Sequence, residues 1–111
     1  MELTHRQQDG VDIFGLHGRV DGSSDFQNRL AAAIDNGARK LVLDLSGLLY
    51  INSSGLGVFA LAHKQLQPVG GEMVLAGASQ HIRHILQIVG FEKLFRTFPS
   101  VAEAAAALNQ Q

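Results

Sequence analysis

Val42-Leu43-Asp44-Leu45-Ser46-Gly47-Leu48-Leu49-Tyr50-Ile51-Asn52-Ser53-Ser54-Gly55-Leu56-Gly57 is the stretch on which the reading of this chain turns. With Lys40 and Leu41 before it, its first part is a short apolar run with little alternation. Such a run suits a central strand covered on both faces. Lys40 to Leu45 is therefore expected as a strand, and Leu48 to Ser54 as the loop that leaves it. Ser54 to Gln67 is long enough for a helix, which Pro68 and Gly70-Gly71 stop. Asn52-Ser53-Ser54-Gly55 then falls where a helix begins. The first turn of a helix has free N–H groups and a partial positive charge, and both favour an anion. A serine in that place is either an N-cap or an acceptor for a phosphoryl group. On the residues alone the plain cap is the favoured reading, because Ser is a preferred cap.

Toward the N-terminus, Leu3 to Arg6 and Val11 to His17 read as strands joined at Gln8-Asp9-Gly10. Asp-Gly supplies the positive φ of a tight hairpin, so the pair is expected at a sheet edge. Gly18 to Ser24 is a loop rich in Gly, Ser and Asp. Ser24 or Asp25 caps the next helix, striped by Phe26, Leu30, Ala33 and Ile34 and ended by Asn36-Gly37. Toward the C-terminus, Met73 to Ala76 is a short buried strand. Ser79 caps a helix with Ile82, Ile85, Leu86 and Val89 on one face, and Gly90 ends it. Leu94 to Phe98 is a last short strand. Val101, Ala104, Ala105 and Leu108 stripe a final helix. Strand–helix–strand alternation implies parallel strands with right-handed crossovers, whose functional loops lie at the carboxyl ends of the strands. Gly18 to Ser24 and Leu48 to Ser54 are the two loops so placed.

Composition bounds the function. A length of 111 residues fits one domain, and 46% apolar residues suffice for a core. Nine Lys and Arg against ten Asp and Glu argue against an electrostatic nucleic-acid binder. The absence of cysteine excludes a disulfide scaffold, thiolate zinc sites and a Cys nucleophile. No run approaches the roughly 20 apolar residues of a membrane span, and Met1 to Asp12 is too polar for a signal peptide. The expectation is a soluble, cytoplasmic domain that does not insert into membranes.

Other chemistry is set aside on spacing. His81 and His84 are three apart on a helix but lack a helping carboxylate, and His5, His17 and His63 are scattered, so no metal is expected. Ile51 stands where a G-x-S-x-G elbow needs glycine, so Ser53 is not a hydrolase nucleophile. Gly70-Gly71 lacks the Lys-Ser/Thr of a phosphate loop. No acid, base and nucleophile set is visible, and the chain reads as non-enzymatic, without a cofactor.

Ordered pieces along the chain carry a resemblance. They are Gly18-Arg19-Val20-Asp21, Leu43-Asp44-Leu45-Ser46, Ile51-Asn52-Ser53-Ser54-Gly55-Leu56-Gly57, Gly70-Gly71-Glu72-Met73-Val74-Leu75 and Val89-Gly90-Phe91. Over nearly its full length the chain resembles a stand-alone STAS domain, the family of bacterial anti-sigma factor antagonists. The resemblance implies a single α/β domain over residues 1–111, with a mixed β-sheet and four helices packed mainly on one face. In that family the first serine of Asp-Ser-Ser-Gly or Asp-Ser-Thr-Gly is phosphorylated by an anti-sigma factor with serine-kinase activity, and a phosphatase reverses it. The matching position is Ser53. The unphosphorylated form binds the anti-sigma factor and frees the sigma factor. Asn52 stands where many members have Asp, keeping size and capping ability but not charge.

The resemblance also proposes a partner surface. Asp21 matches an acidic residue beside the phosphorylation loop; otherwise it bonds its own backbone. Asn52, Ser54, Gly55, Leu56 and Gly57 flank Ser53 in sequence, and Ser23 lies in the other loop, Gly18 to Ser24, where a helix cap is its alternative reading. Gly55 and Gly57 either admit a partner's backbone or let the helix pack tightly on the sheet. Val58 and Leu61 are candidate surplus apolar residues for docking, unless neighbouring helices bury them. The implied partners are an anti-sigma factor or serine protein kinase and a protein serine phosphatase. The alternative is an adaptor, such as the STAS subunit of a lipid-transport ATPase complex, in which Ser53 is only a cap.

Overall fold

The computed structural model describes residues 1–21 and 24–110, the side chain of Ser24 excepted. The strands are β1 Glu2–Gln8, β2 Val11–Val20, β3 Lys40–Ile51, β4 Glu72–Ala76 and β5 Thr97–Phe98. The helices are α1 Ser24–Asp35, α2 Ser53–Leu66, α3 Gln80–Ile88 and α4 Val101–Asn109. The strands form one sheet in the order β1-β2-β3-β4-β5. β1 runs antiparallel to β2, and the other neighbours are parallel. The hairpin turns at Asp9 and Gly10, both at positive φ, as the Asp-Gly pair implies.

Three helices share one face of the sheet. Phe26, Leu30 and Ile34 of α1, Leu56, Phe59, Ala62 and Leu66 of α2, and Ile82 and Leu86 of α3 bury against Phe14, Leu16, Leu41, Leu43 and Leu45. On the other face Ala104 and Leu108 of α4 cover Val11, Ile13, Val42, Val74 and Ala76. Burial of β3 from both sides explains its unbroken apolar run. Phe59 is the hub of the larger cluster. Its ring meets Phe26 edge-on at 6.0 Å, Phe95 edge-on at 6.5 Å and Phe91 at 6.4 Å. Among the described residues no helix is long and apolar enough to cross a membrane.

Several local expectations need correction. β2 continues to Val20 and β3 to Ile51, so the first expected loop begins only at Asp21 and the second reduces to Asn52. The two strands support one another there, with Val20 opposite Ile51. The last strand is only Thr97–Phe98, because Phe91 and Phe95 turn inward against Phe59 instead of extending. Val89 caps α3 and is exposed, outside the stripe assigned to it. α3 is capped by Ser79, which accepts from the Ile82 N–H, as the sequence implies.

Candidate functional site

The sheet delivers the junction of β3 and α2 to its carboxyl edge. Asn52 has extended φ and ψ of −103° and −179°. Its N–H donates to the Val20 carbonyl at 3.2 Å, and its own carbonyl accepts from Leu56 N–H at 3.0 Å. Its side-chain oxygen accepts from the Gly55 N–H at 2.9 Å. Asn52 is therefore the N-cap, satisfying a helical donor that would otherwise be unpaired. The same residue fastens the helix start to the end of β2.

Ser53 is consequently the first helical residue, not the cap. It is exposed, and its hydroxyl has no hydrogen bond among the described residues. The N–H groups of Ser53 and Ser54 likewise have no acceptor there. The helix dipole adds partial positive charge at the same place. A free hydroxyl thus sits beside unpaired donors, which suits a serine that gains an anionic group.

Asp21 follows Val20, whose carbonyl holds Asn52, so the exposed Asp21 lies beside the start of α2. Ser23 lies outside the described residues. Ser54 and Gly57 are exposed. Gly55 is buried, and a Cβ there would lie 2.8 Å from Ile51 Cγ1 and 3.0 Å from the Val20 carbonyl oxygen. At Gly57 a Cβ would meet nothing within 4 Å. The two glycines therefore do different work: Gly55 admits the sheet, and Gly57 faces open space. Leu56 faces inward, and Val58, only 5% exposed, belongs to the core and not to a docking surface. In the first turns of α2 Leu56, Val58 and Phe59 join the core cluster while Ser53, Ser54 and Gly57 stay exposed. Leu61 is half-buried.

Arg19, Leu49 and Tyr50 were not singled out as site residues by the sequence. The Arg19 guanidinium lies 4.1 Å from the centroid of the exposed Tyr50 ring. The sequence carries no signal for them, because Leu48, Leu49, Tyr50 and Ile51 form an unbroken apolar run and only strand register separates buried Leu48 and Ile51 from the exposed pair between them. A cleft of about 280 Å³ lies between α3 and β5, and a polar hollow of about 490 Å³ at the amino ends of β2 and β3. Neither is lined by a residue of the Asn52–Gly57 turn.

A family model described as the STAS domain matches residues 2–104. The chain belongs to the STAS domain family. This STAS domain is 42% identical to BtrV of Bordetella bronchiseptica, a protein named as an anti-sigma factor antagonist. The match covers 98% of this chain and 96% of BtrV. It is 31% identical to the anti-sigma-B factor antagonist of Listeria monocytogenes, over 85% of this chain and 83% of that protein. Its fold matches the solved structures of the Bacillus anti-sigma factor antagonist SpoIIAA. The unphosphorylated form gives a TM-score of 0.77 at 18% identity, covering 98% of each chain. The phosphorylated form gives 0.76 at 20% identity, covering 96% of this chain and 98% of that one.

Proposed function

We propose that this STAS domain is an anti-sigma factor antagonist that binds an anti-sigma factor with serine-kinase activity and is released when that partner phosphorylates Ser53. The observation that carries the reading is the exposed Ser53 hydroxyl at the first helical position, without a hydrogen bond among the described residues, with the cap supplied separately by Asn52. Modifying Ser53 costs the helix no cap. In the transfer, Ser53 Oγ bonds to the γ-phosphorus of the partner's ATP. The bond from that phosphorus to the bridging oxygen breaks, ADP leaves, and the hydroxyl proton passes to a base. Asn52 carries no ionisable group, so the base comes from the partner or from Asp21. Hydrolysis by a phosphatase returns serine and inorganic phosphate. Nucleotide belongs to the kinase and not to this chain.

Phosphorylation adds about −1.5 to −2 charges and several acceptor oxygens. The free N–H groups and the helix dipole accommodate that charge within the domain. A partner surface fitted over a neutral serine does not, so the interface is lost while the fold persists. SpoIIAA, solved in both forms, matches this fold equally well in each.

The test incubates the protein with anti-sigma factor kinases and ATP and maps phosphate by mass spectrometry. Phosphate is expected on Ser53. Ser53→Ala should keep partner binding and Ser53→Asp should weaken it about tenfold or more. Equal affinity of the two variants would refute the switch.

A further inference from the structure

β3 is out of step with β2 twice. Register passes from Gly15 opposite Asp44 to His17 opposite Gly47, and again from Gly18 opposite Leu48 to Arg19 opposite Tyr50. At the second step Leu49 has no partner on β2. An unpaired bulge residue resets the alternation of its strand and re-aims a side chain. That is why Leu48 and Ile51, three apart, both reach the core. Leu49 between them is 73% exposed, more than any other large apolar side chain among the described residues. β4 ends at Ala76 opposite Asp44, so no strand flanks β3 on that side at Leu49. The described residues leave most of the Leu49 side chain uncovered.

We propose that Leu49 is the apolar anchor for the kinase partner that reads Ser53, seated in an apolar pocket beside that partner's catalytic groove. This rests on the Ser53 reading and deepens it. Continuity names the occupant. Leu49 lies four residues before Ser53, and the backbone between them is held by the Val20–Ile51 pairing and by the hydrogen bonds of Asn52. The two residues therefore move as one body. Neither of the clefts described above includes the Ser53 turn, so a partner must grip groups that protrude. Leu49 does so, with Tyr50 stacked beneath Arg19 beside it. From Leu49 to Gly57 no side chain carries a charge. A partner pocket shaped for Leu49 is apolar, the charges at this edge are Arg19 over Tyr50 and Asp21 beside the start of α2, and phosphate on Ser53 would add a dianion at the pocket's border.

The experiment compares wild type, Leu49→Ser, Leu49→Met and Ser53→Asp by calorimetric titration with the purified kinase that labels Ser53. It also measures the kinetics of that labelling and the thermal melting of each protein. Leu49→Ser should melt as wild type does, bind about tenfold more weakly or worse, and raise KM for phosphorylation with kcat nearly unchanged. Leu49→Met should restore binding. A Leu49→Ser protein that binds within about twofold of wild type overturns the proposal. So does light scattering that shows a wild-type dimer, a monomeric Leu49→Ser variant and unchanged kinase affinity, for then Leu49 joins two copies of this chain. The two readings fail separately. If Ser53→Asp binds as wild type, the switch is lost while a weakened Leu49→Ser still supports the anchor. If Ser53→Asp is released and Leu49→Ser binds normally, the anchor alone is lost.

Discussion

Asn52 caps α2, and Ser53, the proposed phosphate acceptor, does not. Asn52 satisfies the helix end, which leaves the Ser53 hydroxyl without a structural duty. Replacing Asn52 by Ala should therefore lower unfolding free energy by about 1 kcal/mol, the usual worth of a cap. Asn52→Asp should keep or slightly raise stability, because a carboxylate caps equally well and favours the positive end of the helix. Urea unfolding of the three proteins checks this order. Gly57 supplies a second test at the same scale. Glycine inside a helix is about 1 kcal/mol less favourable than alanine, and nothing in the fold needs a missing Cβ there. Gly57→Ala should raise stability by up to about 1 kcal/mol in the same urea series. If a partner's backbone closes on this turn, the same variant should bind the proposed kinase partner more weakly in calorimetry. A variant both more stable and fully binding would show that Gly57 serves neither fold nor interface.

The element that matters most is β3 with the helix it feeds. Its bulges let a long strand bury Leu43, Leu45, Leu48 and Ile51 on one face while Leu49 stays outside. It then enters α2 through a single residue, and the close approach requires Gly55. Gly55→Ala places a methyl against Ile51 and the Val20 backbone. The clash with backbone outweighs the gain in helix propensity, so the expected effect is destabilisation by about 1–3 kcal/mol. Gly55 and Gly57 thus give opposite signs of stability change two residues apart, readable in one set of thermal melts. Identical substitutions with the same sign would contradict the packing described for the start of α2.

Across the whole molecule, the aromatic cluster around Phe59 joins α1, α2 and the segment after α3 to the helix-covered face of the sheet. Phe59→Ala should lower stability by about 3–5 kcal/mol, measured by denaturant unfolding, through lost transfer energy and the cavity left behind. The Arg96–Glu72 ion pair is a contrast. Its two hydrogen bonds are 2.8 Å each, yet both side chains are substantially exposed, and such pairs contribute little. Stability here resides in the two apolar layers and not in surface charge.

What the sequence determined by itself was the set of elements, because their apolar periods, the Asp-Gly turn and the Ser79 cap are local signals. It also brought Ser53 to a helix start, since Asn-Ser-Ser-Gly before an apolar run is a local signature. Only the tertiary structure decided that Asn52 is the cap, because the choice depends on β2 offering the Val20 carbonyl to it. Only the tertiary structure turned Val58 inward, left Gly57 open and pushed Leu49 out. Those outcomes follow from strand register and from which neighbours cover each helix, and such contacts join residues far apart in the chain.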